Sequence, residues 1–181
     1  MPATPSTPPL LYTPAQRARR DASIWTLIQG VLAPVQFLIF LISLGLVIRC
    51  LMTGEGEYLA LASVVVKTVA LYIIMATGCI WEKVVFDRYL FAHAFFWEDV
   101  FSMLVLGLHS IYLYTWWAGS LTAQQQLWLA IAAYISYCFN AGQFVWKLRA
   151  ARLQAAQTAG TATQSDTMHV VSNILHQGKA A

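Results

Sequence analysis

The stretch Phe91–Tyr114, FAHAFFWEDVFSMLVLGLHSIYLY, decides how this chain is read. It opens with two adjacent carboxylates, Glu98 and Asp99, then runs on apolar, with one histidine, His109, about 16 Å further along a helix. Ionisable groups inside or beside a bilayer are costly, so where they occur they mark function. The preceding apolar run closes on a comparable pair, Glu82 and Lys83. A polar site at one face of a small membrane bundle is expected.

Working outward, the same pattern repeats. The chain has 181 residues, of which 59% are hydrophobic and 10% charged. A soluble domain carries roughly 25% charged residues. Here the charges cluster between long apolar runs, the mark of an integral membrane protein. The expected spans are 25–48, 58–85, 95–117 and 126–146, giving an all-α bundle of four transmembrane helices. The first is too long for a signal-peptide core and no cleavage site follows it. Residues 1–20 read as a disordered Pro-rich leader with a basic flank, 21–152 as the four-helix domain and 153–181 as a flexible tail.

Basic residues set the orientation. Arg17, Arg19, Arg20, Lys83, Arg88, Lys147, Arg149 and Arg152 fall at the ends that share one side, against Arg49 on the other. By the positive-inside rule both termini and the 86–94 connection face the cytoplasm. All seven tryptophans fall near span ends, as an interfacial belt requires.

At about 100° per residue, Glu98, Ser102 and His109 lie within about 40° of each other, with Tyr112 near the same stripe. Ser102 and Tyr112 read as interhelical glue. Glu98 and Asp99 do not: adjacent acids repel, so one is expected to hold a proton and serve as a general acid. The short connection makes the second and third helices antiparallel neighbours, which lets Glu82 approach that pair. Lys83 is either part of the site or a snorkelling anchor. Lys67, mid-span, needs an acid, a carbonyl or a water-filled cavity. Asn140 and Gln143, at i and i+3, either line the cavity or tie helices together. Gln29 and Gln36 read as glue.

The chain has no phosphate-binding loop, HExxH, serine-nucleophile motif or CxxC pair. Cys50, Cys79 and Cys138 are scattered and odd in number, and are expected to be buried thiols. The basic residues sit at span ends, which argues against nucleic acid. His93 and His109 are too few to hold a metal by themselves, although either could ligate a metal that a ligand brings. The residues alone give a membrane protein with a cytoplasm-facing acidic site for an apolar ligand.

Five stretches resemble one family, the 3-vinyl bacteriochlorophyllide hydratases of anoxygenic phototrophs. They are YTPAQRARRDASIWTLIQG (Tyr12–Gly30), ASVVVKT (Ala62–Thr68), IWEKVVF (Ile80–Phe86), FAHAFFWEDVFSMLVLGLH (Phe91–His109) and NAGQFVWKLRAARL (Asn140–Leu153). The resemblance implies a cofactor-independent hydro-lyase of the cell inner membrane. It would add water to the C3-vinyl group of chlorophyllide a, giving 3-(1-hydroxyethyl) chlorophyllide a in bacteriochlorophyll synthesis. For such a reaction Glu98 is expected to be the acid and Asp99 or Glu82 the base. His109 or His93 would sit under the substrate's magnesium, and Lys83 or Arg88 would pair with its propionate. Lys67, Asn140 and Gln143 would line the substrate cavity. Lipid is the surrounding partner, and contacts with other pigment-synthesis enzymes stay open. The alternatives are a non-catalytic tetrapyrrole carrier and a small transporter. Four spans without an internal repeat suit the transporter poorly.

Overall fold

A computed structural model of the protein describes residues 11–177. It is all-helical. Helix α1 is Pro14–Ala22, α2 Ile24–Thr53, α3 Glu57–Phe86, α4 Phe96–Ala118 and α5 Ala123–Gln177. Contacts divide the chain into two units: Tyr12–Gln143, which holds the helical bundle, and Phe144–Ala181 together with Met1–Leu11. The described part of the second unit is the continuation of α5 as far as Gln177.

Helix boundaries follow local chemistry. Two Thr-x-x-Gln capping boxes start helices. Thr13 Oγ1 accepts from Gln16 N at 3.2 Å while Gln16 Oε1 accepts from Thr13 N at 2.9 Å, with Pro14 at the first helical position. Thr122 and Gln125 do the same at the start of α5. Gly54 ends α2 and Gly119 ends α4 with positive φ, a conformation open to glycine at no steric cost. Pro34 lies inside α2 without ending it.

Helices α2, α3 and α4 are long and apolar enough to cross a membrane. Their outer faces expose Leu27, Leu38, Leu41, Ile73, Leu104 and Ile111, which suits a hydrocarbon surround. The fourth expected span, 126–146, is the first part of α5, and its apolar run is diluted by Gln126, Asn140 and Gln143. It nonetheless packs inside: Leu127, Ala130, Tyr134 and Tyr137 join Phe40, Val47, Val64, Leu71, Val105 and Tyr112 in one core.

Lipid gives helices no hydrophobic reason to associate, so cross-helix polar contacts matter; each contributes about 0.6 kcal/mol in membrane bundles. Ser43 bonds both Ser63 and Tyr134, linking α2, α3 and α5. Tyr112 donates to the Leu61 carbonyl and Gln126 to the Tyr112 carbonyl. Gln29 donates to Thr77, and Trp81 Nε1 to Thr26.

The sequence expectation differs from this structure in four places. The basic flank is helical over Pro14–Ala22, because the capping box and Pro14 nucleate it; residues 1–10 of the leader expected to be disordered over 1–14 lie outside the described residues. The stretch expected to be a flexible tail is helical from 153 to Gln177, continuing α5. Helix α2 runs on to Thr53, past the expected span end at 48, and meets α3 through Gly54–Gly56. Of the cysteines, Cys50 is buried, Cys79 is half-buried and Cys138 is exposed.

Candidate active site

The buried face of α4 is Glu98, Asp99, Ser102, Val105, His109 and Tyr112, the stripe that helical spacing gives. Glu98 and Asp99 occupy its first turn, where the helix dipole favours negative charge. On α3, Glu82 is buried one turn before the C-terminus. The connection 87–95 lays these ends side by side and brings the Glu82 and Asp99 carboxyl groups within hydrogen-bonding reach of each other. A bond there needs a proton between the two groups, because ionised carboxylates only accept.

The connection also folds over the pair. Phe91 N donates to Asp99 Oδ2 at 2.7 Å, and Ala92 N lies 3.4 Å from Glu82 Oε2. Two successive amides thus hold two carboxyl groups. The geometry requires positive φ at Asp87 (63°) and Phe91 (57°). Neither is glycine, and such strain costs on the order of 1–3 kcal/mol per residue. The bonds to the carboxyl pair offset it.

An aromatic plug closes the neighbouring end. Tyr12 stacks on Phe86 at 5.7 Å, and Trp81 meets Phe86 and Phe95 edge-on, each at 5.8 Å. The Arg20 guanidinium lies 4.8 Å from the Tyr12 ring centre. Burial pushes the Tyr12 hydroxyl pKa up. Tyr12 therefore pins α1 to α3. Tyr12→Ala is expected to cost about 3–5 kcal/mol at that joint and release α1. Limited trypsin digestion checks this: cleavage at Arg17, Arg19 and Arg20 should become fast in the variant while the bundle stays intact.

The remaining candidates separate. Lys83, read as either a site residue or a snorkelling anchor, pairs through Nζ with Asp87 at 2.6 Å, the i,i+4 spacing of one helix face. That ammonium donates to the Asp87 carboxyl and holds its pKa below the ordinary range. Arg88 and His93 are exposed on the connection. Tyr89, Phe91, Phe96 and Trp97 are exposed on and beside the same connection, and the Phe96 ring lies 5.7 Å from Phe91 and 5.5 Å from Trp97, an aromatic shelf. His109 is fully buried, its Nδ1 2.8 Å from the Val105 carbonyl of its own helix. Lys67 is fully buried with Nζ 3.8 Å from the centre of the Tyr137 ring, a cation–π contact. Asn140 donates to Ser102 Oγ at 2.9 Å, tying α5 to α4. The contribution of the Phe91 and Ala92 amides was missed. Backbone donors have no signature in a side-chain pattern.

Fold and composition define a helical integral membrane protein, and the buried Glu82 and Asp99 carboxyl groups at one end of it are its candidate acid–base centre. The sequence profile of the 2-vinyl bacteriochlorophyllide hydratases matches residues 12–150. A protein of that name from Rhodobacter capsulatus is 57% identical over 164 residues, covering 89% of this chain and 95% of its own length. One from Cereibacter sphaeroides is 59% identical over 159 residues, covering 86% and 99%. No solved structure matches the chain. The chain belongs to the 2-vinyl bacteriochlorophyllide hydratase family. It is a hydro-lyase of bacteriochlorophyll synthesis, the family expected from its motifs.

Proposed function

We propose that this chain adds water across the C3-vinyl group of chlorophyllide a, giving 3-(1-hydroxyethyl) chlorophyllide a. It does so at the cytoplasmic face of the cell inner membrane, without a resident cofactor. Four spans cross the bilayer, α2 to α4 and 126–146 of α5, with both termini cytoplasmic. The basic residues at the span ends support this orientation. One observation supports the chemistry: two buried carboxyl groups, Glu82 and Asp99, lie beside each other and each is held by a backbone amide.

The proton moves from the pair to the terminal CH2 of the vinyl group, forming a C–H bond from the π electrons. The cation that results sits on the carbon next to the ring and is delocalised into the macrocycle. Water attacks that carbon, a C–O bond forms, and the oxonium gives its extra proton back to the carboxylate. The sum is the addition of one water, and the pair is restored. Glu98, buried on the same turn, adds negative charge where the cation develops. This assigns the acid to the Glu82–Asp99 pair rather than to Glu98 alone.

The macrocycle lies on the shelf of Phe91, Phe96, Trp97 and Tyr89, where rings stack at the membrane interface. His93 is the histidine that a bulky macrocycle can reach for its magnesium; His109 is enclosed. Arg88, exposed on the connection, pairs with the propionate, since the Lys83 ammonium is taken up by Asp87.

Membranes carrying the chain are incubated with chlorophyllide a and the pigment is weighed by mass spectrometry. The expected result is a gain of one water. Stoichiometric pigment recovered bound and unchanged would instead mark a carrier.

A further inference from the structure

A line of polar atoms without partners runs through the bundle. Gln36 Nε2, Lys67 Nζ, His109 Nε2, Asn140 Oδ1 and Gln143 Oε1 are buried and find no hydrogen-bond partner among the described residues. They come from all four long helices. Leaving such atoms dry in a membrane interior is costly, and buried polar groups are as a rule satisfied.

Ring contacts and helix register link the five. Lys67 Nζ lies on the Tyr137 ring, and Phe40, one turn from Gln36 on α2, packs on the same ring at 4.9 Å. His109 lies 6.0 Å from Tyr134, one turn before Tyr137 on α5. Asn140, the next turn, bonds Ser102. Because α4 and α5 run antiparallel there, Gln143, about 4.5 Å further along α5, comes level with the turn of Glu98 and Asp99. The line therefore leads from mid-bundle to the acids.

The atoms also differ in sense. Lys67 Nζ and Gln36 Nε2 donate. Asn140 Oδ1 and Gln143 Oε1 accept, and so does His109 Nε2, since Nδ1 donates to the Val105 carbonyl. An anion would meet three acceptors, and a metal ion would meet an ammonium. Water both donates and accepts, and buried waters typically satisfy such groups.

We propose that these five groups hold a file of water molecules inside the bundle and deliver the nucleophile to the Glu82–Asp99 pair. What the water is for rests on the hydratase reading; that the interior is wet does not.

Hydroxyl-radical footprinting by X-ray radiolysis tests it, because radicals born from bound water oxidise the side chains next to it. The full chain is irradiated in lipid nanodiscs without pigment. Buried Tyr134 and Tyr137 are expected to be modified about as fast as exposed Tyr58 and Tyr114. Asn140→Leu and Gln143→Leu should bring Tyr137 modification to background. They should also lower kcat by about a hundredfold with KM unchanged, the loss expected when a reactant is no longer positioned. Gln143→Leu leaves the Ser102 bond in place, so it separates water loss from helix loosening. Unmodified Tyr134 and Tyr137 in the unaltered chain would overturn the proposal. So would leucine variants that resist unfolding better than the parent at full activity, the result for dry, unpaired atoms. A labelled interior in a chain that does not hydrate chlorophyllide would sink the proposed function and leave the water file standing.

Discussion

Asp99→Asn is expected to lower the rate of chlorophyllide hydration by about a hundred- to ten-thousandfold, the span that a positioned acid or base contributes, with the bundle still folded. The amide keeps the volume of the carboxyl group, still accepts from Phe91 N, and can donate to Glu82. What it lacks is a transferable proton. Glu82→Gln should do the same from the other side. In the proposed mechanism the two groups hold one proton between them and act as a unit, so the double variant should be little worse than either single one. In heavy water the parent should place one deuterium on the terminal carbon of the former vinyl group, and the variants should slow that step alone. The loss should appear in kcat rather than KM, since neither carboxyl group belongs to the exposed shelf. Wild-type rates in both single variants would remove the pair from the mechanism. A larger loss in Glu98→Gln than in either would return the acid role to Glu98.

Much of this was legible in the residues, and the reason differs from place to place. The buried face of α4 follows from a 100° step, and the structure buries the residues so picked out. The glue assigned to Tyr112, Ser102 and Gln29 is made, to Leu61, Asn140 and Thr77. Two further features are readable in the sequence. Thr13-Pro14-Ala15-Gln16 is a capping box that starts α1, and Lys83 with Asp87 is an i,i+4 ion pair that removes the lysine from the acids. What no pattern carries is the register of α3 against α4. It is set by a connection that bends through positive φ at Asp87 and Phe91, residues with no such preference strong enough to announce it. Hence the partner of Asp99 could be narrowed to its neighbours but not chosen. The orphaned amides on α2 and α5 show the same limit: sequence gives a polar residue, while only packing tells whether it finds a partner.

That connection supplies the second large effect. Phe91→Pro is expected to lower kcat by about a hundred- to a thousandfold, comparable to removing one donor from a preorganised anion site. Proline has no N–H to give Asp99 Oδ2, and its ring fixes φ near −65°, whereas residue 91 sits at 57°. The connection must then leave the carboxyl pair, and the proton it shares loses its fixed geometry. Phe91→Gly separates the two properties of this residue. Glycine keeps the N–H and adopts positive φ without steric cost, so the amide contact and kcat should survive. It removes a ring from the exposed aromatic shelf, so KM for the pigment should rise. Steady-state kinetics on the two variants, with helix content checked by circular dichroism, reads both effects. If Phe91→Pro kept the parent kcat, the two amides would be mere closure of a turn. Strain at residue 91 would then have no part in holding the acids for proton transfer.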